Sequence, residues 1–203
     1  LDHRNSKDVR ENLLLLSPAA VRRIAVVNRE IASERLSLRS LEATEVMALH
    51  RLWINERVRR FLWDGKVIPL EQTVAIIEMS NRLFAERGFG LWGVHDSGKL
   101  VGFAGYWHFR TPPSLELLFG VESDHWNRGI ATESSRCVIR YGFETLDFQT
   151  IEASTDVANA ASVRVLEKLG MRYVVDGLDT IFYTLQRDDW REASQSVEGS
   201  KAS

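Results

Sequence analysis

"ELLFGVESDHWNRGIATESSRCVIRYGFETL", residues 116–146, decides how the rest of the chain is read. It opens as an alternating strand, crosses a short polar connection, and from Gly129 onward follows a helical period. Ala131, Ser135, Val138, Gly142 and Leu146 fall along one face of that helix. In the strand, Leu115, Leu117, Phe119 and Val121 share one side, and Glu116, Leu118 and Gly120 the other. The first backbone N–H groups of a helix lack intrahelical partners and carry partial positive charge, so they attract phosphates. Gly129 lets the backbone approach a ligand with no Cβ between them. Ala131 is small for the same reason, and Arg128 adds a fixed charge at the mouth.

A second strand–helix unit follows directly. "TIEASTDV" (150–157) has strand character, and "NAASVRVLEKLGMRYV" (159–174) reads as helix, glycine stop and strand. Ser162, Val165, Leu166 and Leu169 form the helical stripe. Asn159 starts this helix, where an N-cap and a ligand contact are both open readings. Two such units in succession bring both helix starts to one edge of a sheet, where open α/β sheets bind ligands.

Working outward, "RLSLRSL" (35–41) is a strand, and residues 44–62 and 69–88 read as helices, the second opened by Pro69 and stopped by Gly88. "FGLWGVH" (89–95) and "KLVGFAGYWHF" (99–109) form a hairpin around Asp96–Ser97–Gly98, and "VDGLDTIFYTLQR" (175–187) supplies a turn and a last strand. "GFGLWG" (88–93) spells the dinucleotide pattern G-x-G-x-x-G, but it follows a helix and enters a hairpin. That order reverses the strand–turn–helix context a pyrophosphate needs, so the match is accidental. Residues 1–32 read as an added helical extension with Ser17 as N-cap and Pro18 at its first position. Residues 33–190 read as the main domain, and 191–203 as a polar, flexible tail.

Lys and Arg total 26 against 28 Asp and Glu in 203 residues, a formal charge of −2, which argues against a general nucleic-acid binder. No apolar run approaches the roughly 20 residues of a membrane helix, and no signal-peptide pattern is present. A single cysteine, Cys137, fits a reducing cytoplasmic location and reads as a small buried hydrophobe. His95 and His108 belong to no cluster with metal-ligand spacing, so no metal is expected. No serine stands in a nucleophile elbow.

From about Ser33 to Trp190 the chain resembles the GNAT superfamily of acyl-CoA-dependent N-acyltransferases, closest to the branch of the RimJ and RimL ribosomal-protein acetyltransferases. "ERLSLRSL", "LELLFGVESDHWNRGIATES" and "NAASVRVLEKLGM" carry the resemblance by their order and spacing. It implies an α/β (α+β) fold: a mixed, mostly antiparallel sheet of about seven strands, splayed central strands and flanking helices. It implies acetyl-CoA as co-substrate, with backbone groups of the strand of Phe119 and Val121 on the pantetheine arm. The amides of Arg128, Gly129, Ile130, Ala131 and Thr132 would then hold the pyrophosphate. Asn159 would contact the cofactor near its thioester and Ser162 would lie close to the sulfur; Arg164 and Lys168 either lie near the nucleotide end or are solvated helix charges, the latter being the favoured reading. The sequence departs from the family at Trp126, which fills the first position of the phosphate motif, and at Leu166, where many members carry a tyrosine acid.

Acetyl transfer needs an amine freed of its proton, because an alkylammonium of pKa about 10 is not nucleophilic at neutral pH. Glu116, flanked by apolar residues, is the candidate base, directly or through water; an ordinary solvent-facing strand glutamate is the equal alternative. Ser162 is the candidate donor to the leaving sulfur, or else a small polar residue packed in a helix. Trp53, Phe61, Trp63, Trp92, Tyr106 and Trp107 divide between an acceptor wall and plain core. The expected activity is transfer of acetyl to a primary amine, on a protein N-terminus or a small molecule, with a homodimer compatible. The alternative is a non-catalytic acyl-CoA-binding module of the same fold.

Overall fold

The computed structural model describes residues 30–109 and 114–192. Among these, eight strands form one sheet in the order β1-β2-β3-β4-β5-β6-β8-β7. They are β1 (Glu30–Ala32), β2 (Leu36–Ser40), β3 (Leu91–Asp96), β4 (Lys99–Phe109), β5 (Ser114–Val121), β6 (Thr150–Asp156), β7 (Arg172–Asp176) and β8 (Thr180–Gln186). Every neighbouring pair is antiparallel except β5 and β6. That exception follows from the connection: the 15-residue helix α4 (Ile130–Glu144) carries the chain back between them, and such a crossover makes strands parallel.

The eighth strand is the one the sequence reading did not foresee. Glu30, Ile31 and Ala32, assigned there to a helical extension, pair with Arg39, Leu38 and Ser37 of β2 as a sheet edge. The rest of that extension, 1–29, and the tail beyond residue 192 lie outside the described residues.

The helix expected over 44–62 is broken. It runs as α1 (Val46–Ile54), stops at Asn55, and resumes as α2 (Glu56–Arg59). Asn55 leaves helical geometry at φ −57°, ψ 126°, and its side chain accepts the N–H of Arg57 as a fresh N-cap. Helix α3 (Leu70–Arg87) follows Pro69 and ends at Gly88, whose φ of 80° is the left-handed stop expected there.

The two faces of the sheet carry separate cores. One packs Leu117, Val138, Ile139, Leu166 and Tyr183 under α4 and α5 (Ala160–Lys168). The other packs Leu49, Trp53, Ile77, Leu91 and Phe103 under α1 and α3. Backbones press close where β3 begins: Tyr106 N–H donates to Gly90 O, and a Cβ on Gly105 would meet that oxygen at 2.1 Å. Gly105→Ala is therefore expected to cost about 1–3 kcal/mol, the range for overpacking, and to lower the melting midpoint. A variant melting with the parent protein would show that these strands separate freely.

Candidate active site

The parallel pair β5–β6 positions everything that follows. Glu122 N–H donates to Val101 O, which sets the phase of the β4–β5 ladder. Even-numbered residues of β5 exchange bonds with β4, and odd-numbered ones turn their backbone groups toward β6. The register joins β5 to β6 only at Glu116 and Glu152. Beyond that point the strands part, and β6 offers no register partner to the backbone of Phe119 or the N–H of Val121. Val121 O accepts from the Trp126 indole at 2.8 Å. The opening is a slot of backbone donors and acceptors between two strands.

Glu116 lies at the root of this slot and is 1% exposed, which overturns the solvent-facing reading. Ser154 Oγ donates to its Oε2 at 2.5 Å, fixing the carboxylate across the strand pair. By strand alternation, Glu116, Leu118 and Gly120 share the face that also carries Ser154 and Asp156 of β6. The Phe103 ring covers Gly120, since a Cβ there would meet its Cε1 at 2.5 Å. Trp53 packs edge-on against Phe103 and against Trp63, at 5.6 and 5.4 Å between ring centres. Burial, then the charges of Asp64 and Asp179, hold the Asp156 carboxyl above the usual range. Trp92 and Tyr106 stand in the core of the opposite face, with Tyr106 OH donating to Val138 O.

The candidate phosphate end lies at the start of α4. Gly129 is its N-cap at φ 77°, and Asn127 also has a positive φ of 61°. Gly129 O takes the N–H of Glu133, so the N–H groups between them have no intrahelical acceptor. Ile130 is buried and anchors this turn in the core. Gly129, Thr132 and Lys168 share the lining of a cavity of about 530 Å³ with Arg35, Glu133 and Arg136. Lys168, exposed at the end of α5, thus borders the same cavity as Gly129 and Thr132, and its carbonyl accepts from Arg136. The Arg128 guanidinium itself turns to Asp96 at 3.3 Å.

At the start of α5, Asn159 Oδ1 accepts the N–H of Ser162 at 3.2 Å, so Asn159 is an N-cap in geometry. Ser162 is half-buried in the first turn of α5, on the face opposite Glu116. Leu166 is core, so no hydroxyl occupies the tyrosine position.

Other tempting groups are structural. Burial pushes the Cys137 thiol up, away from nucleophilic chemistry. His95 Nε2 lies 2.6 Å from Glu45 Oε1, and Arg39 pairs with the same carboxylate at 2.9 Å. Burial first, and Arg87 second, hold the His108 imidazole below its ordinary pKa. Among the described residues no group of His, Cys, Asp and Glu could hold a metal.

Sequence reasoning missed Ser154, Arg35 and Glu133. Ser154 meets Glu116 through the parallel register of 116 with 152, which no local pattern in the sequence gives. Arg35 and Glu133 lie 98 residues apart, and no local pattern links them.

The family model described as an acetyltransferase (GNAT) domain matches residues 35–172. The chain is similar to the uncharacterized N-acetyltransferase YoaA of Bacillus subtilis, with 27% identity over 145 residues, 70% of this chain and 82% of the relative. Its fold is similar to that of an acetyltransferase from Agrobacterium tumefaciens, with TM-score 0.69 and 22% identity, covering 77% of this chain and 94% of the other. It is also similar to RimL, a ribosomal-protein acetyltransferase solved with coenzyme A, with TM-score 0.67 and 18% identity. That match covers 79% of this chain and 99% of RimL.

Proposed function

Because the chain belongs to the GNAT acetyltransferase family, we propose that it transfers acetyl from acetyl-CoA directly to a primary amine, with Glu116 as the base. The burial of Glu116 at the root of the β5–β6 slot, clamped by Ser154, is the observation that carries this reading. The residues present suit the co-substrate. Phe119 and Val121 turn backbone groups into the slot, and the bare backbone at Gly129 leaves a phosphate within reach of the α4 N–H groups. Lys168 and Arg136 line the same cavity and suit the nucleotide end.

Acetyl-CoA supplies an activated acyl carbon and, in the thiol, a good leaving group. The chain's own residues do the rest. Glu116 accepts the ammonium proton, directly or through water, so that the amine is nucleophilic. A backbone N–H of the Phe119–Val121 stretch would stabilise negative charge on the acyl oxygen. The Ser162 hydroxyl, beside the Asn159 cap, donates to the departing sulfur. Trp63, half-buried against the core ring of Trp53, offers an apolar wall beside the amine, and the exposed Asp156 gives that side negative character suited to a cation.

Leu166 in the core keeps a second reading in view, a non-catalytic acyl-CoA-binding module. Both readings require binding, which thermal denaturation tests. Acetyl-CoA at about 100 times its dissociation constant should stabilise the protein by roughly 2.7 kcal/mol, whereas NAD should leave the melting midpoint unchanged. Stabilisation by NAD and not by acetyl-CoA would refute both.

A further inference from the structure

Arg35 reaches the phosphate-binding loop from the turn before β2, and its contacts have the form of a device for presenting that loop. Nε donates to Glu133 Oε2 at 2.6 Å, and Nη2 donates to Arg128 O at 2.8 Å. Ser33 Oγ donates to the other Glu133 oxygen at 2.6 Å, so both oxygens of that carboxylate are engaged. Ser33 is itself held in the turn, its Oγ accepting the N–H of Leu36 at 3.1 Å.

Two consequences follow. A carboxylate in the first turn of α4 opposes an anion bound at that helix start, and the Arg35 charge cancels it. The peptide between Arg128 and Gly129 is planar and trans, so its C=O and N–H point in opposite directions. With Arg128 O drawn to Arg35, the orientation of that peptide, and with it the Gly129 N–H, is fixed. A Cβ on Gly129 would lie 3.5 Å from Arg35 Nη2, which shows how closely the guanidinium backs the loop.

We infer that Arg35 is a positioning residue for pyrophosphate binding: it neutralises Glu133 in the first turn of α4 and, through the Arg128 carbonyl, holds the peptide that carries the Gly129 N–H in one orientation. The inference rests on the reading of α4 as the acetyl-CoA phosphate site. A clamp of merely structural value predicts something different, since removal of either partner would then break the same contact with the same result.

Calorimetric titration of the full chain with acetyl-CoA, on the parent protein and on Arg35→Met, Glu133→Gln and the double variant, separates these cases. Arg35→Met should weaken acetyl-CoA roughly ten- to a hundredfold, because the carboxylate is left uncompensated and the carbonyl is released. Glu133→Gln should bind within about threefold of the parent, and adding it to Arg35→Met should restore most of the loss. Arg35→Lys, which keeps the charge without the fork to Arg128 O, should fall between Arg35→Met and the parent. Equal losses in Arg35→Met and Glu133→Gln, or no rescue in the double variant, would overturn the inference, as would Arg35→Met binding within twofold of the parent. If Arg35→Met does not fold, the contrast between Arg35→Lys and Glu133→Gln decides, and weaker binding by Glu133→Gln overturns it. A parent protein that fails to bind acetyl-CoA would instead refute the phosphate-site reading itself.

Discussion

Glu116→Gln is expected to bind acetyl-CoA like the parent protein and to lose at least roughly a hundredfold in turnover at pH 7. Glutamine has the size of glutamate and can still meet Ser154, but it cannot take a proton from an ammonium. A positioned general base contributes about 10²–10⁴-fold. Because Glu116 is buried and hydrogen-bonded to Ser154, the substitution changes protonation chemistry with little change in packing. The fraction of free amine rises with pH, so the variant should recover part of its rate under alkaline conditions and the parent should gain less. Paired pH–rate profiles at saturating acetyl-CoA read this directly. Near-parental turnover at pH 7 would make Glu116 a structural residue.

Gly129→Val is expected to abolish measurable acetyl-CoA binding in a protein that still folds. The residue sits at φ 77°, where a β-branched side chain is strained, and such backbone strain costs of order 1–3 kcal/mol. A Cβ there would lie 3.5 Å from Arg35 Nη2, and the added methyls would press on that guanidinium or fill the ligand side of the loop. Either outcome displaces N–H groups that must converge on a phosphate. Loss of affinity of at least about a hundredfold, about 2.7 kcal/mol, is the expected calorimetric result. A folded variant with unchanged affinity would move the phosphate site elsewhere.

What was legible in the sequence had local causes. Gly129 starts a helix and Gly88 ends one because a left-handed residue is needed at each point, and glycine takes that conformation without strain. Asn159 caps the next helix through a bond only three residues long. The same logic excludes "GFGLWG": Gly90 packs under Phe84 and beside Ser80 O, close to the entry of β3, with no helix start to receive a phosphate. What was not legible depended on distance. Ile31 has a helical neighbourhood in sequence, yet Glu30–Ala32 is drawn into a strand by β2. Asn55 splits an otherwise periodic helix because its side chain offers the backbone a competing partner. The Glu116 carboxylate meets Ser154 from 38 residues away, and Arg35 meets Glu133 across a separation of 98. Polar side chains met across the fold leave no periodic trace.

Amine-dependent release of the CoA thiol tests the central claim most directly. The parent protein would be assayed with acetyl-CoA over a panel of N-terminal peptides, polyamines, amino acids and amine-containing drugs, with each product identified by mass spectrometry. The account predicts at least one amine that drives thiol release together with an equal amount of N-acetylated product, and loss of that signal in Glu116→Gln. Tight acetyl-CoA binding with no amine-dependent release anywhere in the panel would contradict it and leave a binding module on an acetyltransferase fold.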